Sequence, residues 1–271
     1  MGRTAFVLGG GGILGAAEVG MLAALAGHGV EPDLIVGASV GAINGAAYAA
    51  DPGPATADRL GRMWADLGER DVFGGGVASQ LGTLARTRTH LHDNAGLRAL
   101  LDEHLPAKRF ADLAVPFQCV AANIETASAR WFSAGPLVEA VLASCAVPGI
   151  LPPVRIGVEH FLDGGLVDSL PVGRAIGLGA TDVYVLHVGR LERPLLPPRW
   201  PWEVGAVAFE IARRSRFTDQ MAALPQGVGV HVLPTGVDRT PLATVRFRST
   251  RQVAERIERA RRATAAYLAE L

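Results

Sequence analysis

The sequence has no surplus of charge: 26 lysines and arginines balance 26 aspartates and glutamates over 271 residues. A chain without a field of one sign has no general attraction for nucleic acid, and none is expected as a partner, although a balanced total leaves room for local patches. Cysteine is scarce as well. Cys119 and Cys145 are too few for a disulfide scaffold, and neither stands in a C-x-x-C or zinc-ligand spacing. Both read as reduced thiols of a cytoplasmic protein, with no metal expected. Long apolar runs are missing too. Residues 34–50 approach the length of a membrane span but carry Gly37, Ser39, Gly41, Asn44 and Gly45, which fits a buried strand, turn and helix. The apolar residues 5–8 are cut by four glycines at 9–12, too early for a signal peptide. No internal repeat or low-complexity segment is present.

What is there is globular: 49% of residues are hydrophobic and 19% charged, enough for a sizeable core in one domain spanning 1–271. Short apolar runs alternate with helical patterns. Strands are expected at 5–8, 34–36, 117–121, 154–156, 160–162, 183–187 and 230–233, and helices at 16–25 and 42–49. This alternation predicts an α/β fold, a mostly parallel sheet with helices on both faces. Between 51 and 115 the texture changes to polar helices, a glycine stretch at 74–76 and an arginine-rich run from Arg86 to His92, which reads as an insertion or lid. Residues 193–202, with Pro194, Pro197, Pro198 and Pro201 around Trp200 and Trp202, deny a regular helix or central strand. Residues 190–271 read as an extension packed on the core. It ends in a helix from about 250, with Val253, Ile257 and Leu268 inward and Arg251, Arg256, Arg259, Arg261 and Arg262 around them. The tryptophans and these arginines offer a peripheral membrane contact, against the plainer readings of a packed loop and a solvated face.

Three segments carry chemistry. Gly37-Ala38-Ser39-Val40-Gly41 matches G-x-S-x-G, a serine on a sharp turn between strand and helix, where the helix amides face developing negative charge. A helix-capping serine in a glycine-rich turn is the competing reading. The loop from Gly9 through Gly10, Gly11 and Gly12 to Gly15 follows the first strand and opens the first helix, so its amides suit an anion. A dinucleotide site would need an acidic residue at the end of the second strand, about 20 residues on. That end runs instead into the serine turn, with Asp33 at the strand's beginning. An oxyanion hole formed by the amides of Gly10, Gly11 and Gly12 fits better. A base is also required. His187 and His231 are the histidines placed for a relay, and Asp163, at a strand end before Gly164 and Gly165, competes with them, although aspartate before glycine is also a common turn former.

The glycine loop, the Gly-Ala-Ser-Val-Gly-Ala-Ile-Asn turn, the segment from Ala143 to Pro153 and the Asp-Gly-Gly segment from Asp163 to Pro171 together resemble the patatin-like phospholipases. The resemblance implies a three-layer α/β/α fold, a nucleophile at Ser39 paired with Asp163, and an oxyanion hole from the amides at 10–12. It further implies hydrolysis of acyl esters in lipids with no cofactor. Two positions depart from the family pattern: Leu14 stands where arginine or lysine is usual, and Glu18 where histidine is common. A silent lipid-binding protein and a nucleotide-binding protein are the alternatives.

Overall fold

A strand that is apolar at every position must be covered on both faces. Thr4–Leu8 (β1), apolar from Ala5 onward, and Leu34–Ala38 (β2) are such strands, buried along almost their whole length. In a computed structural model, which describes residues 2–69, 87, 89–188, 194–236 and 250–271, they form the centre of an eight-stranded sheet. The remaining strands are Phe117–Asn123 (β3), Ser128–Phe132 (β4), Val154–Ile156 (β5), Glu159–Asp163 (β6), Asp182–Leu186 (β7) and Gly229–Val232 (β8). Their order is β5-β6-β3-β2-β1-β7-β8, with β4 also paired to β3. β3, β2, β1, β7 and β8 run parallel, whereas β4 and β6 run antiparallel to β3.

Alternation along the strands divides the core. Phe6, Leu8 and Ile35 point into a cluster shared with Ala16–Gly27 (α1), Val40–Ala50 (α2), Pro54–Glu69 (α3) and Thr250–Leu268 (α9). Ala5, Val7, Leu34 and Val36 point the other way, against Val172–Gly177 (α7) and Phe217 of Pro201–Ala222 (α8). The result is the expected three-layer α/β/α arrangement. Ala95–His104 (α4), Leu137–Ser144 (α5) and the single turn Gly165–Asp168 (α6) complete the helices that matter for the site. No helix among the described residues is long and apolar enough to cross a membrane.

Several regions differ in detail from the sequence expectation. The described parts of 51–115 place Leu60, Met63 and Trp64 of α3 and Leu97, Leu100 and Leu101 of α4 in the main core. The glycines at 74–76, Arg86 and Arg193 lie outside the described residues. Residues 194–200 are irregular, but Pro201 is the first residue of α8, where its missing N–H costs nothing. β8 joins the central sheet beside β7, and α9 packs on α1 with Val253 buried and Ile257 and Leu268 against the cluster.

The α1–α9 contact depends on Gly20. A Cβ there would collide with the Ile257 carbonyl and the Arg261 amide nitrogen. Alanine is normally favoured over glycine inside a helix by about 1 kcal/mol. Here Gly20→Ala is expected to destabilise by about 1–3 kcal/mol, because the two helices must separate. Thermal unfolding checks the sign.

Candidate active site

β3 pairs with two oppositely directed strands along one edge. β4 occupies its other edge from Cys119 to Asn123. β2, matched from Ile35–Phe117 to Ala38–Val120, and β6, matched from Ala121–Asp163 to Asn123–Phe161, therefore lie end to end on the remaining edge. Their carboxyl ends converge: Ala38 faces Val120 and Asp163 faces the next residue, Ala121. The residue that follows Ala38 is Ser39.

Ser39 adopts φ 53°, ψ −125°, a conformation that L-residues rarely hold. Its neighbours allow it. A Cβ at Gly37 would meet the backbone of Gly41, and one at Gly41 would meet the Leu8 carbonyl. The Ser39 backbone is also held from outside. Its N–H donates to Ser144 Oγ (2.9 Å), and its carbonyl accepts Cys145 Sγ–H (3.1 Å) and the Ala42 N–H (2.8 Å). The same segment positions the acid: the Asp163 N–H donates to the Ala146 carbonyl (2.9 Å) and the Gly164 N–H to the Ser144 carbonyl (3.0 Å). A side chain at Gly164 would strike the Val120 carbonyl, so only glycine lets this turn lie against β3.

The geometry brings Ser39 and Asp163 together directly. Ser39 Oγ donates to Asp163 Oδ2 at 2.6 Å, and Asp163 Oδ1 accepts the Gly165 N–H at 2.8 Å. Both side chains are buried, with 7% and 2% of their residues' surface exposed. Burial pushes the Asp163 pKa up to about 6, opposed by the hydrogen bonds from Ser39 and Gly165. No histidine stands between the two residues. Of the relay candidates, His231 is held by Asp182 (3.1 Å) and Tyr267 (3.3 Å), and His187 follows β7. Burial raises the pKa of both Cys119 and Cys145, which keeps them as thiols. Among the described residues no three His, Cys, Asp or Glu side chains gather as metal ligands would.

The glycine loop lies against the elbow. A Cβ on Gly10 would sit 3.3 Å from Ser39 Cβ and 3.1 Å from Ser169 Oγ. The Gly10 amide itself donates to the Ser169 carbonyl (3.0 Å), so it is not available for a substrate oxygen, a correction to the expected trio. The Gly9 amide donates to the Leu186 carbonyl (3.0 Å) and to Glu18 Oε1 (2.9 Å). The amides of Gly11 and Gly12 have no acceptor among the described residues. Leu14 packs against the main core instead of carrying a charge. A cation reaches the loop from elsewhere in the chain: the buried Arg256 of α9 donates from Nη1 to the Ile13 carbonyl at 3.4 Å. The sequence alone did not single out Ser144, Cys145, Ser169 or Arg256 for these roles. Ser144 and Cys145 lie within a quoted family segment, whereas nothing local marks Arg256.

Comparison with known proteins agrees with this architecture. The family model described as "Patatin-like phospholipase" matches residues 6–176. A protein named lysophospholipase nte1 from Aspergillus terreus is 32% identical over 194 residues, covering 69% of this chain and 12% of that protein. The mouse protein named patatin-like phospholipase domain-containing protein 7 is 32% identical over 190 residues, covering 68% of this chain and 13% of its own length. The chain thus matches only about an eighth of the length of these relatives. Among solved structures, VipD from Legionella pneumophila shares the fold, with a TM-score of 0.51 at 14% identity over 99% of this chain and 67% of that one. With the family model spanning well over half its length, the chain belongs to the patatin-like phospholipase family.

Proposed function

We propose that the chain hydrolyses acyl esters of lipids, as a phospholipase A, lysophospholipase or related lipid acyl hydrolase, through a Ser39–Asp163 dyad. The observation that carries this reading is the direct, buried 2.6 Å hydrogen bond from Ser39 Oγ to Asp163 Oδ2. Asp163 accepts the Ser39 proton as Oγ attacks the ester carbonyl. The carbonyl oxygen becomes an oxyanion held by the amides of Gly11 and Gly12, and the alcohol leaves with the proton from Asp163. Water then attacks the acyl-enzyme, giving its proton to Asp163, and Asp163 returns that proton to Ser39 Oγ as the free carboxylic acid leaves. An aspartate near its ordinary pKa of about 3.9 would be a weak base. Desolvation makes this one stronger while the hydrogen bond from Ser39 keeps its anion accessible.

Family membership and relatives named as lysophospholipases favour a lipid substrate. A peripheral contact with a lipid surface belongs to the same reading. Leu196 is 81% and Trp200 56% exposed just before α8, and α8 packs on α6 beside Asp163.

Ser39→Ala is expected to abolish both hydrolysis of a lysophospholipid and labelling by a fluorophosphonate probe, with the fold intact by circular dichroism. Persistent hydrolysis in that variant would exclude the dyad. Because the active form of Asp163 is its anion and its pKa lies at about 6, kcat/KM should fall about tenfold per pH unit below 6 and level off above it. Asp163→Asn should lower kcat by at least about 10³-fold and remove that limb. His187→Ala and His231→Ala should each retain activity; loss comparable to Ser39→Ala would favour a triad.

A further inference from the structure

Glu18 lies in the first turn of α1 and is fully buried, a costly place for a carboxyl group unless its oxygens accept hydrogen bonds. Each oxygen accepts one, from the glycine loop and from the elbow helix. Oε1 accepts the Gly9 amide at 2.9 Å, and Oε2 accepts Nδ2 of Asn44 at 2.7 Å. Nδ2 of Asn44 also donates to the Gly15 carbonyl at 3.0 Å, while its Oδ1 accepts Nε1–H of Trp64 at 2.9 Å. Asn44 and Trp64 are as deeply buried as Glu18.

The direction of each bond is fixed. An indole N–H can only donate, so Asn44 must turn Oδ1 toward Trp64 and Nδ2 toward Glu18 and Gly15. Glu18 then faces donors on both oxygens, an arrangement that suits a carboxylate, and its place in the first turn of α1 adds the favourable end of the helix dipole. Burial works in the opposite direction, raising the Glu18 pKa against the pull of the Asn44 and Gly9 hydrogen bonds. The Gly9 and Gly15 contacts are the two ends of the loop whose middle carries Gly11 and Gly12. Asn44 stands five residues after Ser39 on α2, so one buried unit fastens both ends of the loop to the helix that bears the nucleophile.

We infer that Glu18 is a positioning residue for the reaction: through Gly9 and the Asn44–Trp64 pair it fixes the Gly11 and Gly12 amides relative to Ser39. The role rests on the serine-hydrolase reading and goes beyond it, because Glu18 touches neither substrate nor nucleophile. It also gives one of the two departures from the family pattern a physical function. With Leu14 supplying no charge to the loop, the loop is anchored from beneath by a buried carboxyl group. A displacement of about 1 Å between nucleophile and oxyanion donors can cost about 10²-fold in rate.

The test uses the full chain and p-nitrophenyl butyrate, with four variants: Glu18→Gln, Trp64→Phe, Asn44→Ala and the Glu18→Gln/Asn44→Ala double variant. Glu18→Gln keeps shape but sets an amide donor against a donor. It should lower kcat by about 30- to 100-fold with KM changed less than about threefold. Trp64→Phe removes only the bond that orients Asn44 and should lower kcat by about 3- to 10-fold, which covers the case of a Glu18 variant that does not fold. The double variant should be no slower than the slower single one, as expected for one network. Hydrogen exchange of the peptide covering residues 9–15 should accelerate in Glu18→Gln whether or not the ester is a substrate. Wild-type kcat in both Glu18→Gln and Trp64→Phe, or unchanged exchange in the 9–15 peptide, would overturn the inference. A wild-type protein inactive on both p-nitrophenyl butyrate and a lysophospholipid, with accelerated exchange in Glu18→Gln, would instead overturn the hydrolase reading and leave the anchoring role standing.

Discussion

The site depends on one constraint, the end-to-end meeting of β2 and β6 along a single edge of β3. Because the two strands run in opposite directions, their carboxyl ends converge on one gap, and Ser39 and Asp163 are the residues that fill it. The gap lies inside a three-layer structure, so the same pairing that creates proximity also excludes water. Exclusion of water lifts the Asp163 pKa toward neutrality. The contact between Ser39 and Asp163 and the raised pKa of Asp163 therefore have a common origin.

Holding such a gap open to chemistry is unfavourable in several places. Ser39 is kept at positive φ, Asp163 and Glu18 are carboxyl groups without bulk water, and the Ser169 hydroxyl is buried without a hydrogen-bond partner among the described residues. The compensation is local and polar. Residues 144–146 bind the backbone of both Ser39 and the Asp163–Gly164 turn, and the Ser169 carbonyl binds Gly10. Glu18 and Asn44 bind both ends of the glycine loop. These bonds link elements distant in sequence, so the strained turn is over-determined by its surroundings. The apolar clusters on the two faces of the sheet supply the stability that permits it.

Legibility in the sequence followed the range of the interactions. The seven strands expected from apolar runs all occur, one with the expected bounds and the others displaced by one or two residues at one or both ends. β4 was not foreseen, because Ser128–Phe132 has no apolar run and is a strand only through its pairing with β3. α5 was not foreseen because Leu137–Ser144 is apolar nearly all round, and a fully buried helix loses the polar face that reveals periodicity. α8 was obscured by the prolines that precede it. Both Ser39 and the glycine loop were readable from local pattern, and the collisions that a Cβ would cause at Gly37 and Gly41 are the close approach that the pattern implies.

By itself the sequence determined the alternating α/β order, the serine turn and the amide-rich loop, since each follows from residues adjacent in the chain: periodicity, helix ends and glycines where a side chain cannot fit. Only the tertiary structure decided which partners these features have. Register along β3 joined Asp163 to Ser39 across 124 positions, pairing with Ser169 withdrew the Gly10 amide, and packing of α9 on α1 carried Arg256 to the loop from 243 residues away. Such contacts are set by strand pairing and helix packing, and these are properties of the whole chain that no local spacing encodes.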